Sequence, residues 1–395
     1  MDTDAITRRR FLASIGTAAA AGALGSSLRA QEPPARRVRV GIVGGGFGAG
    51  FHWHEDPGCE VAAVSDLLPD RLQNLVNRYG CQTTYNSLEE LIEDDSIEAV
   101  AVFSGAPDHV RHCVAVMNRG KHCISAVPAG LTLEECAALV EAKERNGVKY
   151  MMAETSYYRF PTITARRMVE DGSFGEILYS EGEYYHPQIG TAENDLSRWP
   201  DKDGNWQRTW RWGFPPMLYP THSTGFLVGV TGERLVEVSC LGTPGQTEAF
   251  LDNAYNNPFC NASALFKTDR GNMFRCNVMW NVWSHGERAQ WFGERTAMFM
   301  DGWAGQPYTI RTADGKAIQQ EPNYYDLLPE KMRYDSGHGG SHPFITHEFV
   351  QAILEDREPA VSVYEAVAMT APGIVAHESA LRGGEQLKVP NFDPA

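Results

Sequence analysis

The sequence predicts an α/β domain on a doubly wound parallel sheet, followed by an α+β domain with a mainly antiparallel open sheet. Three observations carry that expectation. Short apolar runs alternate with helical stretches through the first part of the chain. A glycine-rich turn, Gly44-x-Gly46-x-x-Ala49, directly follows the first of these runs. Beyond Glu154 the apolar runs lengthen and are joined by hairpin signals. Strand–helix alternation with right-handed crossovers makes a parallel sheet, whereas hairpins make an antiparallel one.

The 395 residues are enough for two domains with sizeable cores. Apolar residues at 43% and charged residues at 22% are an ordinary globular mixture, so neither disorder nor a membrane-embedded chain is expected. The net charge of −15 argues against nucleic acid and anionic membrane surfaces as partners.

Residues 1–30 read as a targeting segment. Arg8, Arg9 and Arg10 precede Phe11 and Leu12, and an Ala/Gly-rich apolar run continues to Leu24. That run is too short and too weakly apolar for a membrane span, and a cleavage point follows Ala30. Paired arginine before Phe-Leu resembles the signal of the twin-arginine pathway, which exports folded proteins; a basic start to an ordinary signal peptide is the other reading. Export to the periplasm or cell envelope is expected.

Pro33 to Arg37 form a short linker. Residues 31–153 then carry four strand-like runs, "RVRVGIVG", "EVAAVSD", "AVAVFSG" and "HCISAVP". Ser87-Leu-Glu-Glu90 and Thr132-Leu-Glu-Glu135 are capping boxes that open two of the intervening helices. Residues 154–395 form the second domain. It opens with a helix that has Pro161 in its first turn and Gly172 as its stop. Long strands follow, with hairpin turns near Asp269–Asn272 and at Asp314-Gly315. Two helices close the chain, and His342 and His347 are placed on the final one, with His342 near the pocket. The eight cysteines form no C-x-x-C pair, so they read as small core residues.

The glycine turn lies between a strand and a helix-like run. Gly44 permits the tight turn, and Gly46 lets backbone approach a pyrophosphate on a helix N-terminus. Phe47, Gly48 and Ala49 complete the contact segment. Asp66 ends the next strand about 20 residues beyond Gly44, where an acid binds the ribose hydroxyls. Leu67 follows it, not an arginine, so NAD is favoured over NADP. The first domain is therefore expected to be a Rossmann dinucleotide-binding domain. His52 and His54 have no acid or thiol to complete a site, so no metal is expected.

"SGAPDHVRHC" and "GKHCISAVPAGLTLEEC" come next. Their order and spacing resemble the Gfo/Idh/MocA oxidoreductases, NAD(P)-dependent enzymes of sugars and polyols. The resemblance implies cofactor contacts from Pro107, Asp108, His109, Arg111, Ala126, Val127 and Thr155. It also exposes a departure: the family's Glu-Lys-Pro stands here as Ala126-Val127-Pro128, so its catalytic lysine is missing.

Three further stretches narrow the resemblance. Tyr184 and His186 are two apart on a strand, hence on one face. Tyr219-Pro220-Thr221-His222 starts a helix, with Tyr219 and His222 on one side. His338 sits between glycines in a loop. With Arg211 of "WRWG", this set resembles the NAD-dependent glycosidases of glycoside hydrolase family 109, the α-N-acetylgalactosaminidase type. Pro187 and Ser341-His342 depart from that family's pattern. The resemblance implies catalytic roles for Tyr184, His186, Tyr219 and His222. It implies substrate binding by Arg211, Pro220, Thr221 and His338.

The implied reaction is redox-neutral. A ring hydroxyl at C3 is oxidised, the acidified C2–H is removed, the C1 substituent leaves, water adds, and the ketone is reduced again. It needs bases and an acid, which Tyr and His pairs can supply. An exported enzyme meets no soluble NAD pool, so tightly bound, recycled NAD is expected. The expected partners are a carbohydrate substrate and further copies of the chain as a homo-oligomer. The aromatic strand Val278 to Trp283 reads as packing or a subunit interface, with sugar stacking as the other reading. Two other functions stay open: a net dehydrogenase or two-substrate sugar oxidoreductase, and a degenerate sugar-binding protein.

Overall fold

The structure, a computed structural model, describes residues 36–187, 198–200, 205–300 and 308–394. The expected targeting segment at 1–30 lies outside the described residues.

The first sheet has six strands: β1 (Val38–Val43), β2 (Cys59–Ser65), β3 (Thr84–Tyr85), β4 (Ala99–Val102), β5 (His122–Ser125) and β6 (Tyr150–Met152). Their order is β3-β2-β1-β4-β5-β6, and every pairing is parallel. Residues of β4 are fully buried, as a continuous apolar run covered on both faces must be. Helices α1 (Pro69–Tyr79), α2 (Leu88–Leu91), α3 (His109–Asn118) and α4 (Leu133–Asn146) connect the strands.

Both capping boxes form. Ser87 Oγ accepts from Glu90 N at 3.2 Å, and Thr132 Oγ1 accepts from Glu135 N at 3.1 Å. The reciprocal arm of each box lands one residue early. Glu90 accepts from Asn86 N at 3.1 Å and Glu135 from Leu131 N at 2.7 Å.

The helix-like run expected after the glycine turn is not a helix of ordinary length. It is a four-residue 3-10 turn, Phe47–Gly50, followed by a second, Trp53–Glu55. Gly48, Gly50 and Asp56-Pro57-Gly58 remove the residues that would propagate it. A pyrophosphate would therefore meet the N–H groups of a short turn rather than a long macrodipole.

The second part begins with α5 (Phe160–Glu170) and β7 (Ile177–Tyr185). A small antiparallel pair follows, β8 (Arg198–Pro200) with β9 (Trp206–Arg208), and then α6 (Thr221–Thr231). Next come β10 (Leu235–Pro244), α7 (Glu248–Leu251), β11 (Phe259–Thr268), β12 (Met273–Met279), β13 (Gly286–Gly293), β14 (Thr296–Met300), β15 (Tyr308–Thr312) and β16 (Ala317–Gln320). The chain ends with α8 (His342–Leu354), α9 (Val363–Leu381) and β17 (Leu387–Lys388). The nine-stranded sheet runs β16-β15-β14-β13-β7-β12-β11-β10-β17. All its pairings are antiparallel except β7 with β12. Both expected hairpins are present, with Gly271 and Gly315 in left-handed conformations.

Two features position the site. All eleven residues of α6 are buried, so this helix forms the layer under the sheet. Gly182 on β7 permits the contact: a Cβ there would lie 2.3 Å from the Ser223 carbonyl oxygen of α6. The second feature is a return of the chain. Ala129 N donates to Thr370 Oγ1 on α9 at 3.2 Å, and Met152 N donates to Val361 O at 3.0 Å. β6 ends at Met152, and residues near the C-terminus pack back on the first sheet. His342 and His347 lie on α8, the penultimate helix, because Ser362 starts another.

All eight cysteines are buried and free. Trp280 is fully buried and its Nε1 donates to Phe214 O at 2.9 Å, whereas Trp283 is 86% exposed. The aromatic stretch is thus divided, with Trp280 in the core and Trp283 at the surface.

Candidate active site

In an open parallel sheet, ligands bind beyond the strand C-termini where the strand order reverses. Here that point lies between β1 and β4. Gly44 follows β1 with φ 99°, and a Cβ on it would lie 2.3 Å from the Phe103 carbonyl oxygen. Asp66 stands at the end of β2. Its Oδ2 accepts from Gly45 N at 2.6 Å and its Oδ1 from Leu68 N at 2.8 Å, leaving further lone pairs for ribose hydroxyls. Arg71, which the sequence reading passed over, lies against the turn: a Cβ at Gly46 would meet its guanidinium at 3.4 Å. A cradle that a single methyl would fill, with a carboxylate beside it, fits NAD. Gly44→Ala is expected to abolish nucleotide retention, measured by mass spectrometry of the nucleotide released on denaturation.

The other expected cofactor residues divide. Phe47 sits edge-on to Phe51 and Phe103, with ring centroids 5.1 and 5.6 Å away, and Gly48 and Ala49 share its turn. His109 is buried, with Nδ1 2.7 Å from Pro128 O and Nε2 3.0 Å from Ser104 O. Burial, the largest effect, lowers its pKa, so the neutral ring donates to only one of the two carbonyls. Pro107 and Asp108 lie in the turn before it, while Ala126 and Val127 are buried just beyond β5, before a cis bond to Pro128. Thr155 is buried beside His222, its Oγ1 3.5 Å from Nδ1. Arg111 is engaged in exposed ion pairs with Glu89 and Asp108 at 2.8 and 3.1 Å, so it is not brought into this group.

The two Tyr/His pairs converge. The ring of Tyr184 lies 4.7 Å from His222, 5.9 Å from Tyr219 and 6.2 Å from His186. Tyr219 lies 5.3 Å from His222. The route differs in detail from simple periodicity. His186 is one residue past β7, held by its N–H to Met279 O at 3.0 Å. Tyr219 precedes α6 and belongs to the turn before it; Pro220 caps that helix and Thr221 starts it. Arg211 completes the group, its guanidinium 5.5 Å from the Tyr219 ring and 4.3 Å from Trp210. His338 is 6.5 Å from His222, ring to ring.

Four residues that the sequence reading missed set the charges. His222 Nδ1 lies 2.7 Å from Glu154 Oε1, and both side chains are buried. Ser156 N donates to the same oxygen at 2.8 Å. Arg159 makes a bidentate pair with Glu287, Nε to Oε2 and Nη2 to Oε1, both at 2.6 Å. Ser156 Oγ donates to Glu287 Oε2 at 2.6 Å. Glu154, Ser156 and Arg159 follow β6, so their place at the C-terminal edge of a parallel sheet was the available signal. Glu287 had no signal in the sequence. It faces the site because β13 pairs with β7 in the register Glu287↔Tyr184.

These neighbours assign protonation states. Burial works against a charge on His222, but Glu154 and then Glu287 outweigh it and raise its pKa. His186 is pushed down to about 4 by burial, His285 and Arg211. Burial raises both tyrosines, Tyr219 adding to the effect on Tyr184 while Arg211 opposes it on each. The centre therefore holds a His222 whose protonated form is favoured by Glu154, a neutral His186 and two un-ionised phenols. Without a further positive charge, Tyr184 and Tyr219 are hydrogen-bond donors.

Comparison with known proteins agrees with this geometry. Residues 38–154 match the family model described as oxidoreductase family, NAD-binding Rossmann fold, and residues 314–395 match glycosyl hydrolase 109, C-terminal domain. A glycosyl hydrolase family 109 protein of Solibacter usitatus is 24% identical, covering 95% of this chain and 93% of its own. Among solved structures, the aldose–aldose oxidoreductase of Caulobacter crescentus superposes with a TM-score of 0.72 at 19% identity. It covers 90% of this chain and 100% of its own. Levoglucosan dehydrogenase does so with 0.73 at 17%, over 90% and 100%. At those identities the structures establish the fold. The chain is therefore an enzyme whose residues 38–154 form an NAD-binding Rossmann domain of the Gfo/Idh/MocA oxidoreductase type, and it is similar to glycosyl hydrolase family 109 proteins along most of its length.

Proposed function

We propose that this chain is an exported, sugar-active enzyme that keeps NAD tightly bound and cleaves a glycoside in a redox-neutral cycle. One observation carries the reading: two Tyr/His pairs meet beside the dinucleotide crevice, while Val127 occupies the place of the family lysine. NAD, when bound, supplies the acceptor and later the donor of the hydrogen at C3. The residues do the rest. Tyr184 and Tyr219 donate hydrogen bonds to sugar oxygens, and Arg211 binds an oxygen or an acidic substituent. Neutral His186 is available to accept a proton. When C2–H breaks, its electron pair forms the C1–C2 double bond and expels the C1 substituent, which takes a proton from an acid. His222, whose pKa Glu154 raises, is the acid on hand. Water then adds across the double bond, and the ketone is reduced.

The paired arginines at Arg8 and Arg9 support export through the twin-arginine pathway, which would let NAD be loaded before translocation. The open sheet face, where Leu241 and Leu265 are exposed, supports pairing of two copies.

The test is incubation of the purified protein, without added NAD, with chromogenic glycosides in heavy water. Sugar release with deuterium at C2 is expected, and nucleotide is expected on denaturation. Release without C2 exchange, or a preparation free of nucleotide, overturns the reading. The fold shared with the aldose–aldose oxidoreductase favours a second reading, a two-substrate sugar oxidoreductase. That activity would leave the glycosidic bond intact and yield one oxidised and one reduced sugar.

A further inference from the structure

The loop at residues 337–340 is the most constrained backbone near the site. His338 has φ 56° and ψ 43°, a left-handed conformation that is uncommon for a residue with a side chain. Gly339 and Gly340 follow with φ 64° and 82°. A Cβ on Gly339 would meet the Arg159 guanidinium at 2.5 Å, and one on Gly340 the Tyr325 hydroxyl at 2.5 Å. The turn is pressed against the buried ion pair and can carry side chains only away from it. Such strain persists where the surroundings over-determine one geometry.

The hydrogen bonds of this loop define what that geometry holds. His342 Nδ1 is 3.0 Å from Gly50 O, and His342 Nε2 is 3.1 Å from His338 Nδ1. The His342 ring stacks on Phe51 at 4.4 Å, and Phe47 meets His342 and His338 edge-on at 5.6 and 5.4 Å. A carbonyl oxygen only accepts, so the Nδ1 of His342 carries the proton. In a neutral His342 ring, Nε2 is then a bare acceptor. His338 Nδ1 must therefore be the donor. In a neutral His338 the remaining nitrogen, Nε2, has a free lone pair. The opposite chain of tautomers would set two lone pairs against each other at Gly50 O.

We propose that His342 is a positioning residue that holds His338 as an Nδ1–H tautomer, leaving its Nε2 open as a base toward the sugar, and anchors it to the cofactor turn through Gly50. The role rests on the sugar-active reading above. The proton of a sugar O–H or C–H bond moves to Nε2, and the electron pair of that bond stays on the sugar. The His338 residue keeps solvent access although its ring is packed among its neighbours, whereas His342 is buried, as befits a group that touches substrate and a group that orients it. Both rings are held neutral: burial lowers each, His342 and His222 act further on His338, and His52 and Arg159 act on His342. Glu287 opposes this on His338, and Arg159 adds to it. With the protonated form of His222 favoured by Glu154, 6.5 Å away ring to ring, the centre presents an acid and a base at once.

Two variants and one spectrum test this. His342→Phe keeps the stacking on Phe51 but breaks the relay. His342→Gln can still donate to Gly50 O and accept from His338 Nδ1–H. For a glycoside turned over by the unaltered protein, His342→Phe is expected to lower kcat on the order of 100-fold with KM nearly unchanged, and His342→Gln to retain most activity. Equal losses in both variants, or none in His342→Phe, overturn the proposal. Independently of activity, imidazole 15N–1H correlation spectra of the NAD-loaded protein are expected to show His338 and His342 as Nδ1–H tautomers. A His338 Nε2–H tautomer overturns the proposal whether or not a substrate is known. If no sugar is turned over, the functional reading fails, while the spectrum still decides the tautomer.

Discussion

Replacing Glu154 with glutamine is expected to lower kcat by about 10²–10⁴-fold, the range for loss of a positioned acid or base. In the proposed reaction His222 is the acid, and Glu154 is the partner that favours its protonated form. The Nδ1–Oε1 distance is 2.7 Å and neither group reaches solvent, so the attraction is little screened. Burial alone would drive His222 neutral; Glu154, and after it Glu287, reverse the sign. In the amide variant the larger of those two effects is gone. The pKa of His222 then falls, and the limb of the pH–rate profile that reports its deprotonation moves to lower pH. Nucleotide content should not change. A profile identical to that of the unaltered enzyme would remove His222 from the acid role.

The largest stability effect is expected at Glu287. Its replacement by alanine leaves the Arg159 guanidinium, whose side chain is 9% exposed, without its bidentate partner. Breaking one side of a buried pair costs about 3–5 kcal/mol. The pH dependence has a definite sign. Burial opposes the charge on Glu287, but Arg159 and His222 outweigh it and take its pKa from 4.5 down to about 2. A depressed carboxylate adds stability that is fully present above pH 4.5 and is lost as pH falls toward 2. Urea unfolding should therefore show a large midpoint difference between wild type and variant at pH 7 and a smaller one near pH 3. Unequal m-values would signal a changed denatured state rather than a lost pair. The double variant Glu287→Leu with Arg159→Met should recover much of the loss, because it removes both charges from the interior.

How far the sequence could be read is clearest at particular residues. Gly44 was legible because only a residue without Cβ tolerates that φ beneath Phe103, and its motif repeats wherever backbone cradles a pyrophosphate. Ser87 and Thr132 were legible because a cap and its glutamate lie within one turn of each other. The hairpins at Gly271 and Gly315 were legible for the same local reason. The helix after Gly46 was misread although its cause, the glycines at 48 and 50, was also local. Arg111 was placed at the cofactor by resemblance, and two neighbouring carboxylates hold it at the surface.

The sequence by itself determined the strand–helix order, the nucleotide turn and the identity of four aromatic and imidazole side chains bound for one centre. Tertiary structure alone decided their chemistry. The register of β13 against β7 brings Glu287 opposite Tyr184, and the end of β6 brings Glu154 to His222. The glycine turn reaches across to His342. Protonation depends on burial and on charges within a few ångströms, and those neighbours come from segments far apart in the chain. Which residue is acid and which is base is therefore a property of the folded molecule, not of the motif.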